Sequence, residues 1–189
     1  LKYGGDIAVG AMTVLTSIMQ FAMMPLHGLT QGAQPIISFN YGAKNARRVR
    51  EAFGVLLRAC LLYSAALWAL VQLAPQWMAG IFTPDADLKA YAAWALRIYM
   101  AATVIFGAQI ACQQTFVALG EAKISLFLAV LRTILLLIPL IYLLPLWLPD
   151  KTLAVFLAEP IADLLAVATT VTLFRFRFRA IMASLPPEQ

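Results

Sequence analysis

Five long apolar runs, separated by short polar connections, organise this chain. They cover residues 7–39, 52–73, 90–119, 124–146 and 153–173. A helix needs about 20 apolar residues to cross a hydrocarbon layer about 30 Å thick, and each run is long enough. The pattern predicts an all-α protein, a polytopic transmembrane helical bundle of about five spans, in one membrane domain covering 1–189. The first run is longer than one straight span requires. Pro25 and Pro35, with Gly28 and Gly32, are expected to kink it or break it near its end. A polar, basic connection follows at 40–51, and Ala74-Pro75-Gln76-Trp77 closes the second run. Phe82-Thr83-Pro84-Asp85-Ala86-Asp87 reads as a short acidic loop, and Gly120-Glu121-Ala122-Lys123 as a tight polar turn. After the fifth run Phe and Arg alternate from Phe174 to Arg179, which suggests interfacial aromatics with snorkelling arginines, or a contact with lipid phosphate.

Composition agrees with a bilayer as solvent. Hydrophobic residues make up 62% of the chain and charged residues 12%, against roughly 25% charged in an average soluble domain. Too few charges remain to clothe a soluble surface. The net charge of +5 reads as topology and not as nucleic-acid binding, since no recognition motif with stacking aromatics accompanies it. With five spans, Lys44, Arg47, Arg48, Arg50, Lys123, Arg175, Arg177 and Arg179 fall on one side. Lys2, Lys89 and Lys151 fall on the other. The positive-inside rule makes the first side cytoplasmic, with the N-terminus outside and the C-terminus inside. The chain starts without Met or a signal peptide, so it is expected to be part of a longer protein.

Candidate chemistry is sparse. Cys60 and Cys112 lie within apolar runs and read as small hydrophobes, without the spacing of a disulfide framework or metal site. No HExxH, paired His-Asp set, or Ser or Cys beside a base points to an enzyme. Thr13, Ser17, Gln20, His27, Gln31 and Gln34 recur at spacings of three, four or seven and share one helix face. Two readings stand: a cavity wall that touches substrate, or hydrogen bonding between helices aided by the Gly28/Gly32 pair. His27 is either a proton carrier or a structural interfacial residue. Met12, Met19, Met23 and Met24, like Phe106 and Phe116, form an adaptable binding surface or plain packing. Gln109 and Gln113, four apart, either contact substrate or bond to a neighbouring helix, and the second is preferred. Glu159 and Asp163, also four apart, share a face deep in the fifth span. Arg132 on the antiparallel fourth span lies at a depth that reaches Asp163. The preferred reading is a structural Arg132–Asp163 pair. The other is a water-accessible site for a proton or cationic drug, formed by Glu159 and Asp163, with a carbonyl freed by Pro160.

Residues 28–45, Gly-Leu-Thr-Gln-Gly-Ala-Gln-Pro-Ile-Ile-Ser-Phe-Asn-Tyr-Gly-Ala-Lys-Asn, resemble a signature of the MATE (multidrug and toxic compound extrusion) family, and so does the sequel Arg47-Arg48-Val49-Arg50-Glu51-Ala52-Phe53. Gly4-Gly5-Asp6-Ile7-Ala8-Val9 is similar to the start of the same helix in the MepA-type branch. The resemblance implies a twelve-helix, two-lobed transporter in a bacterial inner membrane, with these spans as helices eight to twelve. It implies alternating access and export of amphipathic cationic compounds by antiport with H+ or Na+, with no cofactor. Its partners would be the lipid bilayer and the rest of the polypeptide: helix seven and the N-terminal lobe. A lipid-linked oligosaccharide flippase of the same superfamily and a non-transporting membrane scaffold are the alternatives. Some family members carry acidic cation ligands on helices seven and ten. The third span here has no Asp or Glu between Ala90 and Leu119, so the coupling carboxylate is expected outside this chain.

Overall fold

A computed structural model describes residues 5–186. Helix α1 (Gly5–Gly42) runs unbroken through Pro25 and Pro35. At 38 residues it is about 57 Å long, well beyond one membrane thickness. Its buried positions include Leu15, Ile18, Leu26 and Ile37, one stripe turned to the bundle. The reversal into α2 (Ala46–Leu73) takes three residues. Lys44 adopts a left-handed φ of 58°, and the Asn45 side chain caps α2 by accepting from the Arg48 N–H at 3.0 Å. The basic stretch expected as a connection is thus mostly helix, with Arg47, Arg48, Arg50 and Glu51 on the first turns of α2.

A short helix that the apolar pattern does not announce follows, α3 (Pro75–Phe82), opened by a proline whose missing N–H costs nothing at a first turn. The third run is not one straight span. It divides into α4 (Ala86–Tyr99), capped by Asp85, and α5 (Thr103–Ala118), which meet at 55°. The fourth span comprises α6 (Ala122–Val130), a π-helical stretch Leu131–Leu137 and α7 (Ile138–Trp147). Gly120 makes its tight turn possible with a φ of 81°. Helix α8 (Lys151–Ala183) starts where the Asp150 carboxylate accepts from the Thr152 and Leu153 N–H groups, both at 3.0 Å. It continues straight through the Phe-Arg alternation.

Among the described residues, four helical stretches are long and apolar enough to cross a membrane, or five with α4 and α5 counted as one bent span. α5 lies at the centre, packed on α1, α2, α6 and α8. One apolar core joins α1, α2, α4 and α5 through residues such as Leu15, Val71, Leu96 and Ile110. A second, smaller core gathers Cys112, Phe116, Leu128 and Phe174. Many large apolar side chains remain uncovered, among them Phe39, Leu62 and Trp147, as a lipid-facing bundle requires. Lys2, which the positive-inside count uses, lies outside the described residues.

Candidate functional site: a charged cluster and an uncovered polar face

Arg132 extends from the π-helical stretch into the space between the fourth span and α8. Its Nε donates to Asp163 Oδ1 and its Nη2 to Glu159 Oε1, both at 2.7 Å. One guanidinium therefore bridges both carboxylates of α8, which one helical turn brings to the same side. The Asp163 side chain is 3% exposed and that of Glu159 11%. The guanidinium carbon lies 5.1 Å from the centre of the Phe106 ring on α5, within cation–π range. Tyr99, at the end of α4, is within electrostatic reach of all three charged groups.

Residues of α5 continue this polar interior. Gln113 Nε2 donates to the Ser125 carbonyl on α6 at 3.2 Å. Gln109, one turn earlier and 2% exposed, has no hydrogen-bond partner for its Oε1. Ser64 Oγ on α2 and Thr170 Oγ1 on α8 are likewise buried without a partner. Spacing showed the Gln109/Gln113 pair, but not the stacking of Phe106 beneath Arg132, because apolar runs carry no mark of which helices meet.

The polar stripe of α1 is elsewhere. Thr13 and Ser17 bond back to their own helix, at the Val9 and Thr13 carbonyls (3.1 and 2.9 Å). Gln20, His27 and Gln31 are exposed, and Gln34 is half-buried. A Cβ added at Gly28 or Gly32 would meet nothing within 4 Å. No helix among the described residues covers this face. Leu26 and Thr30, which flank this face on the same turns, are buried in the bundle. Met12, Met19 and Met23 pack into or against the core, whereas Met24 is exposed.

The Phe-Arg alternation divides by helical phase. Phe174 and Phe178 stack on one another at 4.8 Å and pack on Phe53, and Phe174 also meets Phe116. Phe174 is a core residue and the half-buried Phe178 packs against the core, while Phe176 is 71% exposed. Arg177 reaches Glu121 at 3.5 Å. No group of His, Cys, Asp and Glu among the described residues has the arrangement of a metal site.

The MatE family model matches residues 1–143. This chain belongs to the MatE family. Among its relatives is the multidrug export protein MepA of Staphylococcus aureus (strain MSSA476), 22% identical over 132 residues, which cover 70% of this chain and 29% of the relative. The MepA of Staphylococcus saprophyticus is 23% identical over 138 residues, 73% of this chain and 30% of the relative. The MatE chain thus spans under a third of the length of these relatives. Its fold matches the MATE multidrug transporter DinF-BH with a TM-score of 0.81 and 35% identity, over 95% of this chain and 40% of that one. It also matches an inward-facing MATE transporter (TM-score 0.85, 18% identity, 95% of this chain and 43% of that one). An outward-facing structure gives a TM-score of 0.86 at 22% identity, over 96% of this chain and 41% of that one.

Proposed function

We propose that this MatE chain forms one side of a multidrug efflux transporter that exports amphipathic cationic compounds by antiport with H+ or Na+, under alternating access. The observation that carries this reading is the uncovered face of α1. Gln20, His27 and Gln31 are exposed there on a helix whose other side is core. Polar groups are costly against lipid tails, so this face belongs on protein or on a water-filled cavity. A transporter whose two halves rock about a central site needs such a wall. The likeness of this bundle to both inward- and outward-facing folds supports a lobe that moves as a unit.

The basic first turns of α2 and the Arg175–Arg179 stretch lie in the cytoplasm in this reading, and the outer end holds Asp85 and Lys151. The acid-free third span favours a coupling carboxylate outside this chain.

The test is protection of the α1 face in the whole gene product. Cysteine placed at Gln20 or Gln31 is expected to react with a polar thiol reagent and to be shielded by a lipophilic cationic dye. Equal reaction with and without dye, or reaction only with a lipid-soluble reagent, overturns the cavity assignment. Efflux of the dye driven by an imposed proton or sodium gradient identifies the ion, and no gradient-driven efflux overturns the export reading.

A further inference from the structure

The charges of the α8 cluster do not balance. Two carboxylates meet one guanidinium, which leaves one negative charge in the interior when both acids are ionised. The surrounding elements bring nothing to offset it. From α4 comes Tyr99, which is neutral, while Arg97 of that helix is exposed and Asp87, Lys89 and Tyr91 lie toward its start. α5 carries Cys112 as its one titratable group. The fourth span adds Lys123 on the first turn of α6 and an exposed Tyr142 on α7. On α8 itself Lys151 is eight residues from Glu159 and Arg175 twelve from Asp163, about 12 and 18 Å along the helix. An uncompensated charge at this depth is expensive, and groups so placed neutralise instead.

A second observation points the same way. Gln109 Oε1 is a buried acceptor without a donor. Its neighbours on the helix face fix where it looks. Phe106, three residues before, lies under the Arg132 guanidinium, and Gln113, four after, bonds the backbone of α6. Gln109 therefore faces the fourth span one turn from Arg132. Thr170, also unpartnered, sits seven residues past Asp163 on the same side of α8. Buried polar atoms of native proteins almost always have partners. These two mark a polar track on α5 and α8 that begins at the cluster and runs toward the end of the bundle where Glu121 meets Arg177.

We infer that the Arg132–Glu159–Asp163 cluster is a proton-binding site that holds one exchangeable proton, shared by Glu159 and Asp163 and reached along the Gln109–Thr170 track. The proton belongs to the pair, since two acids in one fork titrate together. With it bound, the guanidinium faces one ionised carboxylate and still donates to the carbonyl oxygen of the neutral one. Without it, the cluster carries an unmatched negative charge between the fourth span and α8. This site is separate from the coupling carboxylate, and it stands whether or not the protein exports drugs.

Infrared difference spectra between acid and alkaline buffer, on the whole gene product in nanodiscs, read the proton directly. The wild type is expected to show the C=O band of a neutral carboxylic acid, lost in E159Q and lost in D163N. No such band in the wild type, or a band undiminished in both variants, overturns the proposal. Each single variant keeps one negative charge opposite Arg132, so both are expected to accumulate. The thermal midpoint of the wild type should fall as pH rises, because the native state then binds more protons than the unfolded chain. In either single variant that fall should be reduced. The double variant E159Q/D163N, which strands Arg132, is expected to lose most of its accumulation. Failure of both singles to accumulate overturns the proposal. If one fails, the spectrum of the other decides: band lost supports it, band kept overturns it. Loss of dye efflux in either single variant, with the expected spectra, overturns the separation of this site from the coupling carboxylate and leaves the export reading standing.

Discussion

Gly107 of α5 and Cys60 of α2 meet backbone to backbone. A Cβ on Gly107 would overlap the Cys60 carbonyl oxygen, and it would come within 2.5 Å of Ser64 Oγ and 2.8 Å of the Cys60 carbonyl carbon. Backbone atoms do not swing aside as a side-chain tip does, so α5 sits at the centre of the bundle only because position 107 has no side chain. Close approach through small residues is how helices gain contact in lipid, where apolar burial alone drives little association. Gly107→Ala is expected to cost about 1–3 kcal/mol by overpacking, measured as a lower thermal midpoint in detergent. An unchanged midpoint would mean that the two helices have room to part.

Removing Arg132 should do more damage than removing either acid. Arg132→Met leaves two buried carboxylates without their counter-ion, and breaking a buried pair in this way costs about 3–5 kcal/mol. Combining Arg132→Asp with Asp163→Arg should restore accumulation lost in either single variant. If both single variants accumulate normally, the fork does not hold the fourth span to α8.

Phe174 and Phe176, two residues apart in one pattern, should behave differently. Phe174→Ala empties a site ringed by Phe53, Phe116 and Phe178 and is expected to cost about 3–5 kcal/mol. Phe176→Ala, on the exposed side, should stay within about 0.5 kcal/mol of the wild type. Equal effects would return both to the membrane interface.

The proposed orientation puts Asn45 and Ser184 on the same, cytoplasmic side. Cysteines there are expected to react with an impermeant reagent only after cells are opened. The native Cys60 and Cys112 are buried and should not contribute. Reaction of either new cysteine in intact cells would invert the topology.

Much of the fold is visible in the sequence because the membrane demands it. Runs of apolar residues must be helices, and their lengths locate the spans. The details that shape the lobe are less visible. Nothing between Met100 and Ala102 is a proline or glycine, yet the third span bends there, because packing of α4 and α5 on α1 and α8 overrides local preference. α3 escapes notice for the opposite reason: its Pro75 looks like a terminator although it opens a helix. In the cluster, depth counted along two antiparallel spans brings Arg132 level with Asp163. That count does not show one guanidinium serving Glu159 as well. The fork depends on the direction of a side chain leaving a π-helical turn, and periodicity at 3.6 residues does not describe such a turn.

The π-helical stretch Leu131–Leu137 also bears on insertions and deletions. Hydrogen bonds there close five residues apart instead of four, so the segment holds a surplus residue relative to a regular helix. One residue corresponds to about 100° of rotation in an α-helix. A deletion inside 131–137 would return the segment to ordinary winding and leave α7 in register with its present neighbours. The same deletion a turn earlier or later would rotate every position beyond it by more than a quarter-turn and carry lipid-facing residues such as Tyr142 and Leu146 inward. Length variation among related chains should accordingly gather in this stretch, and chains one residue shorter there should lack the arginine that the bulge aims at α8.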